Sequence, residues 1–143
     1  MREDEKHKIE VHVATICVRN NEVLVAKRSP SRELYPGLWE CGGGQVKKDE
    51  GFEEAAKRQL KEEFGVVAEP VKVVDTYSID TENHGKIPGV VYVCKFVEFV
   101  GNGPELSEEH AECRWQPTDG IDEVDFIPGI KENIEKAYSS IKG

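Results

Sequence analysis

The chain has 143 residues, of which 33% are charged, and its formal net charge is −9. This length predicts one domain with a single core. The acidic balance argues against RNA or DNA as a partner, because a phosphate backbone requires a basic surface. It leaves a small phosphorylated substrate open, because a bound metal ion can reverse the local field. No apolar run approaches the length of a membrane span, so we expect no membrane contact.

The four cysteines form neither a C-x-x-C pair nor a zinc-type spacing. Cys17 and Cys94 lie in apolar runs and are expected to be core thiols. Cys41 is expected to fill space, with a place in the functional site as the alternative. Free cysteines and the lack of a signal peptide predict a cytoplasmic location.

The first part of the chain predicts a hairpin after a charged tail. Residues 1–8 are dense in charge and are expected to be a flexible tail, and residues 9–143 are expected to form the domain. Ile9–Arg19 contains VHVATICV, which has the composition of a strand. The turn signal at residues 20–21 and the apolar run at Glu22–Lys27 predict the returning strand.

A loop at residues 29–36 and a short extended piece at residues 38–41 lead into Gly42, Gly43 and Gly44. Three glycines free the backbone and remove side chains, so the amides and carbonyls can approach a ligand. A helix is predicted to begin near Phe52 and to end at Gly65, which is typical of a C′ glycine.

This helix has two predicted faces. The buried face is expected to contain Phe52, Ala56, Leu60 and Phe64. The neighbouring arc is expected to contain Ala55, Gln59, Glu62 and Glu63, with Arg58 at its edge. Carboxylates that converge on a glycine loop form an oxygen-rich site, which suits Mg²⁺ or Mn²⁺.

The second half of the chain predicts a hairpin, a short strand and a C-terminal helix. The order of the predicted elements is a strand at 66–79, a polar turn-rich segment at 80–88, a strand at 89–100, a loop at 101–110, a strand at 111–116 and a helix at 130–141. Strands on both sides of a central helix predict an α/β fold with a mixed sheet covered on both faces.

The spacing of the central stretch is specific. Its defined positions follow the pattern G-x5-E-x7-R-E-U-x-E-E-x-G-U, in which U is aliphatic, and they are filled by Gly44, Glu50, Arg58, Leu60, Glu62, Glu63, Gly65 and Val66. Six fixed matches arise by chance on the order of one time in a million or less. The chain therefore resembles the Nudix (MutT-like) hydrolase family. VLVAKR, GLWECGGG and SEEHAECRW resemble its flanking segments. Gln59 departs from the pattern, because the family has Glu there, and Gly42 replaces a usual Pro.

The resemblance implies a Nudix-type α/β/α sandwich and a monomer or homodimer that hydrolyses a nucleoside diphosphate linked to another group, with Mg²⁺ (Mn²⁺ possible) as cofactor. It implies catalytic roles for Arg58, Glu62, Glu63 and Glu109. The implied metal ligands are Gly43, through its carbonyl, Glu62, Glu63 and Glu109. The implied substrate contacts are Arg28, Trp39 and Gly44, and the supporting residues are Glu50, Gln59 and Gly65.

Several alternatives stay open at this point. Glu108 and Glu112 compete with Glu109 for the late-loop ligand, and Trp39 has a core position as its alternative. The histidines show no ligand spacing, although His110 is near the expected site. Gln59 cannot act as a base near neutral pH, so the alternative to a hydrolase is a degenerate Nudix domain that binds a nucleotide or a partner protein without turnover. The substrate does not follow from the sequence.

Overall fold

The computed structural model describes residues 8–83 and 85–142. The predictions for the tail at residues 1–7, and those for His7 and His84, lie outside the described residues. The elements in chain order are β1 (His12–Arg19), β2 (Glu22–Arg28), β3 (Trp39–Glu40), β4 (Gly43–Gln45), α1 (Phe52–Phe64), β5 (Val66–Thr81), β6 (Gly85–Phe99), β7 (His110–Pro117), a 3₁₀ helix (Thr118–Glu123) and α2 (Ile130–Lys142). No helix among the described residues is long and apolar enough to cross a membrane.

The strands form one mixed sheet, in the order β3-β2-β1-β6-β5, with β4 paired to β1 and β7 paired to β2. The β1–β6 pairing is parallel, and the other strand pairs are antiparallel. The predicted hairpin is present, because Arg19 pairs with Glu22, and Asn20 in the turn has φ 49°. The predicted mixed-sheet α/β fold is confirmed.

Each face of the sheet is covered by one helix. Alternate residues of β1, β2 and β6 point to opposite faces, and both faces are dry, so these strands read as nearly continuous apolar runs. The core on the α1 side includes Val13, Cys17, Leu24, Ala26, Ala55, Leu60, Phe64 and Cys94. The core on the α2 side includes Ile16, Val18, Val23, Val25, Trp39, Val93, Ile134 and Ala137. Cys17, Cys94 and Cys41 are all buried, as expected.

Helix α1 begins at Phe52 and ends at Gly65, as predicted. Glu54 Oε1 accepts a hydrogen bond from Gly51 N at 3.2 Å, and Gly65 adopts φ 65° and donates its N–H to Lys61 O at 2.9 Å. Leu60 and Phe64 are fully buried against the sheet. Full burial of such a side chain contributes about 1.5–3 kcal/mol.

The predicted faces of α1 were partly wrong. Phe52 is 37% exposed, because it is the first residue of the helix and lies beside the exposed residues 9 and 10 rather than over the sheet. Ala55 is fully buried, although it was predicted to lie on the neighbouring arc with Gln59. Glu63 is also on the buried face, because it follows Ala56 by seven residues and Leu60 by three, which places it in the same stripe.

The prediction of a turn-rich loop at residues 80–88 was also wrong. Strand pairing continues through Ser78↔Pro88 to Thr81↔Gly85, so β5 and β6 pair through most of this segment. Pro88 is tolerated because pairing of β6 with β1 begins one residue later, at Gly89. The polar composition reflects a two-stranded ribbon that faces solvent on most of its surface.

The glycine turn depends on backbone geometry that other residues rarely adopt. Gly42 has φ 107°, and a Cβ there would lie 2.8 Å from the Phe64 ring. Proline cannot adopt that φ, so the residue that the family usually has there would not fit this turn. Gly43 has φ 137°, and a Cβ there would lie 2.4 Å from Val13 O and 2.8 Å from Ala14 Cα.

We therefore expect Gly43→Ala to destabilise the fold by more than about 2 kcal/mol, because both strain and a backbone clash oppose the new methyl group. Gly101→Ala is the matched control, because Gly101 has φ 70° with open space around it. The control should lose about 1–2 kcal/mol. Urea unfolding of the metal-free variants measures both. Equal losses would contradict the close approach of Gly43 to β1.

Candidate functional site

The glycine turn, the end of α1 and the beginning of β7 meet on the α1 side of the sheet. Glu63 Oε1 accepts a hydrogen bond from Gly43 N at 3.0 Å, so a carboxyl group of α1 contacts the backbone of the glycine turn. Glu63 is only 7% exposed. The structure therefore brings Gly43 and Glu63 together, through the amide N–H of Gly43 in this state.

Glu63 lies in an environment that disfavours its charge. Burial raises its pKa from 4.5 to about 7. The Gly43 N–H and the charge of His110 act in the opposite direction, whereas the nearby carboxylates Glu40 and Glu109 raise the pKa further. A buried carboxyl group that faces other carboxylates is an arrangement that a cation would stabilise.

A polar cluster of Arg28, Glu40 and His110 lies next to Glu63. Glu40 Oε2 accepts a hydrogen bond from Arg28 Nη1 at 2.9 Å and lies 2.9 Å from His110 Nε2. Burial acts to raise the pKa of Glu40, but the hydrogen bond from His110 and the charge of Arg28 outweigh it and hold this pKa below its ordinary value. Glu40 is therefore a carboxylate whose charge is balanced inside the protein.

His110 is held by packing as well as by Glu40. Its side chain is 0% exposed, and its ring centroid lies 5.2 Å from that of Phe64. Among the described residues, its Nδ1 has no hydrogen-bond partner. The ring orientation therefore rests on the Nε2 contact with Glu40 and on the aromatic contact.

A second polar cluster surrounds Arg58. Its guanidinium contacts Glu50 through two nitrogens, with Nε–Oε2 at 3.0 Å and Nη2–Oε1 at 2.5 Å. Arg58 Nη1 also donates to Glu62 Oε2 at 3.1 Å, and Nη2 donates to Gln45 O at 2.9 Å. The hydrogen bonds that Arg58 donates to Glu50 lower the pKa of the Glu50 carboxyl group to about 2. Arg58 thus joins β4, through Gln45 O, to the exposed carboxylate of Glu62.

Gln59 lies against the glycine backbone. Its Nε2 lies 3.4 Å from Gln45 O, and a Cβ on Gly44 would come within 2.5 Å of that nitrogen. Gly44 therefore allows the side chain at position 59 to contact β4 directly. The residue that departs from the family pattern faces the glycine turn, beside the predicted ligands.

Two of the predicted substrate contacts are engaged by other parts of the protein. The Arg28 guanidinium donates hydrogen bonds to Glu40 Oε2 from Nη1 and to Leu34 O from Nε, both at 2.9 Å. Trp39 packs in the core on the α2 side, with the Arg114 guanidinium 4.4 Å from its ring centroid. Neither position favours direct contact with a nucleotide.

Of the three glutamates predicted to bind the metal ion, the structure buries Glu63 and leaves the other two exposed. Glu62 is 55% exposed on the helix, and Glu109 is 57% exposed, with its Oε2 3.6 Å from Arg32 Nη1. Within the described residues, no three His, Cys, Asp or Glu side chains already surround a common point. The residues nevertheless fit a hard divalent cation, because the donors are oxygens and burial and nearby carboxylates disfavour the charge of Glu63.

Sequence reasoning assigned no role to Glu40 and none to His110. The available signal for Glu40 was a charged residue inside the short apolar stretch between Trp39 and Cys41. For His110 it was the position directly after the acidic loop. Their contact spans seventy positions, so no local pattern could reveal it.

The charge of Glu63 predicts a specific loss of stability with pH in the absence of divalent metal. The folded pKa of about 7 exceeds the ordinary value of 4.5, so the folded state binds more protons between these values, and stability falls as the pH rises through them. The full loss is about 3 kcal/mol, at 1.36 kcal/mol for each unit of pKa. Glu63→Gln should lack this loss, and the exposed control Glu98→Gln should follow the wild type. Urea unfolding in chelator from pH 4 to pH 8 measures the difference, and parallel curves for wild type and Glu63→Gln would contradict it.

Comparison with known proteins identifies the family. The model of the NUDIX domain matches residues 7–136. The chain is 32% identical over 134 residues to a protein of Mycobacterium tuberculosis named putative 8-oxo-dGTP diphosphatase 2, covering 94% of this chain and 92% of that protein. It is 28% identical over 110 residues to an 8-oxo-dGTP diphosphatase of Proteus vulgaris, covering 77% and 92% of the two chains.

The fold is shared with a solved structure as well. The MutT protein from Methanosarcina mazei superposes with a TM-score of 0.71 at 24% identity, covering 94% of this chain and 96% of that one. The family match covers most of the chain, and the residues that follow the pattern G-x5-E-x7-R-E-U-x-E-E-x-G-U include Glu63, whose carboxyl group is buried. The chain therefore belongs to the Nudix hydrolase family, whose enzymes act on pyrophosphate bonds.

Proposed function

We propose that the protein uses a divalent cation, Mg²⁺ or Mn²⁺, to hydrolyse a small nucleotide in which a nucleoside diphosphate is linked to another group. The observation that supports this most is the buried carboxyl group of Glu63, held against the Gly43 amide with the carboxylates Glu40 and Glu109 nearby, where its charge is only partly compensated. The names of the relatives favour nucleoside triphosphates as the first substrates to test.

In this proposal Glu62, Glu63, Glu109 and the carbonyl of Gly43 hold the cation. When bound, the cation neutralises phosphate charge and thereby makes an acidic protein compatible with an anionic substrate. Arg58 acts through Glu62 and Glu50, because its guanidinium fixes both carboxylates relative to the strand at Gln45. Gly44 leaves the backbone open beside Gln59.

The reaction requires a proton acceptor for the attacking water. Water attacks phosphorus, the bond from that phosphorus to the bridging oxygen breaks, and the proton lost by water must reach a base. Gln59 has no basic carboxylate, so another group performs this step or turnover is slow. Glu109 is the first candidate, because it is exposed on the loop next to the site.

The alternative is a binding module without turnover, and Gln59 is the observation that favours it. A module of this kind could bind a nucleotide or a partner protein and would not require a metal. The presence of both Glu62 and Glu63, with Glu63 buried and its charge only partly compensated, favours the enzyme. The expectations of a small substrate rather than a nucleic-acid polymer, and of a monomer or homodimer, stay predictions.

A panel of nucleoside triphosphates and diphosphate-linked nucleotides, assayed with Mg²⁺ and with Mn²⁺ for release of phosphate or pyrophosphate, tests the proposal. We expect metal-dependent turnover, and metal binding at least about 10-fold weaker in Glu63→Gln when measured by calorimetry. Glu98→Gln is the control, because Glu98 is an exposed glutamate on β6 outside the site. Equal metal binding by wild type and Glu63→Gln would overturn the metal assignment.

Gln59→Glu tests whether the departure from the family pattern limits the rate. Glutamate has the same shape as glutamine, but its oxygen would face Gln45 O without a donated proton, so we expect lower stability in chelator. With saturating metal we expect a gain in turnover of roughly 10²–10⁴-fold if the new carboxylate acts as the base.

Gln59→Met is the matched control, because it fills the same space without charge and should not raise turnover. An unchanged rate in Gln59→Glu would direct attention to Glu109 as the base. If wild type and Gln59→Glu are both inert on the whole panel, the binding module becomes the better account.

A further inference from the structure

The loop that contains Glu109 is attached to the end of α1 at two points. Ser107 N donates to Glu63 O at 3.2 Å, so the loop is bonded to the backbone of the central carboxylate residue itself. His110 N donates to Ser107 O at 3.3 Å, which closes residues 107–110 into a turn. Glu109 therefore lies in a short turn whose two ends are fixed against α1.

His110 forms the second attachment. Its fully buried ring lies against Phe64, the residue that follows Glu63, and its Nε2 contacts Glu40 at 2.9 Å. The side chain of Glu109 has no comparable support, because it is exposed and lies 3.6 Å from Arg32. The direction in which the Glu109 side chain leaves the backbone is thus set by the hydrogen bond from Ser29 N to Glu109 O at 2.9 Å and by the buried neighbour that follows it.

Glu40 connects this attachment to the glycine turn. It ends β3, and the chain then enters Gly42 and Gly43, whose N–H contacts Glu63. Arg28 balances the charge of Glu40 from β2 at 2.9 Å. The Nδ1 of His110 and the Oγ of Ser107 are buried without hydrogen-bond partners among the described residues, so Glu40 is the one polar group that orients the His110 ring in this part of the structure.

We infer that His110, oriented by Glu40, is a positioning residue that sets Glu109 relative to Glu63 for metal binding. This inference rests on the proposed function, in which both glutamates hold the cation. It also assigns Arg28 a new role, because that guanidinium supports Glu40 instead of contacting a substrate. Residues that orient metal ligands typically change metal affinity by 10–100-fold when they are replaced.

The experiment measures Mn²⁺ affinity by electron paramagnetic resonance of the free ion, for the wild type and for His110→Leu, His110→Gln, Glu109→Gln and the double variant His110→Leu/Glu109→Gln. His110→Leu should bind Mn²⁺ about 10–100-fold more weakly. His110→Gln should recover much of this loss, because its amide can donate to Glu40 from the position of Nε2. The double variant should bind no more weakly than Glu109→Gln, because residues that act through one another are not additive.

Two further measurements separate positioning from general loss of stability. Ile134→Val removes a methyl group from the opposite core and should leave Mn²⁺ affinity unchanged. Amide exchange in the metal-free protein should show faster exchange at Ser107 N in His110→Leu than in the wild type, since this amide bonds to Glu63 O. If His110→Leu does not fold, the comparison of His110→Gln with His110→Met replaces it, and only His110→Met, which has no donor for Glu40, should lose affinity.

The outcomes are distinguishable. Wild-type affinity in the folded variants that break the His110–Glu40 contact, or fully additive losses in the double variant, would overturn the positioning role while leaving the metal site intact. Failure of the wild type to bind Mn²⁺ would overturn the proposed function and the positioning role with it. Weak binding in His110→Leu with recovery in His110→Gln supports the inference.

Discussion

The burial of one carboxyl group constrains the rest of the site. Glu63 lies on the face of α1 that packs against the sheet, in the same stripe as Ala56 and Leu60, and its oxygen contacts the N–H of Gly43. A carboxylate in such a place is costly unless a cation or a hydrogen-bond donor compensates it. The Gly43 N–H and the charge of His110 compensate it in part, but burial and the nearby carboxylates Glu40 and Glu109 outweigh them, so the folded protein contains a position that favours a bound positive charge.

The surrounding structure can be understood as support for that position. The positive φ of Gly43 and its close approach to β1 hold its N–H where Glu63 can reach it. Arg58 holds the more exposed Glu62 by a contact one helical turn away and anchors both to β4. In the proposed function, a bound cation would supply the attraction for an anionic substrate that a protein with a net charge of −9 does not supply by itself.

Local patterns predicted the mixed sheet, the central helix and its C-terminal glycine, because strand composition, helical spacing and a left-handed cap are local properties. They failed where a neighbour in space decides the outcome. Phe52 has the correct helical spacing but lies beyond the sheet, and helical spacing placed Glu63 on the arc beside the buried face, whereas the structure buries it. Polar residues 80–88 suggested a loop, although β5 and β6 pair through most of them. The contact of Glu40 with His110 joins distant segments, so only the fold reveals it.

The titration of the Glu63 carboxyl group tests the central claim most directly. Carbon-13 chemical shifts of the labelled side-chain carboxyl, followed by NMR from pH 3 to pH 9, report its protonation in the presence and absence of Mg²⁺. The account predicts a midpoint near pH 7 without metal, because burial disfavours the charge, and a clear downward shift when Mg²⁺ is added. A titration midpoint near the ordinary value of 4.5 that Mg²⁺ leaves unchanged would contradict the proposal that this buried carboxyl group binds a cation.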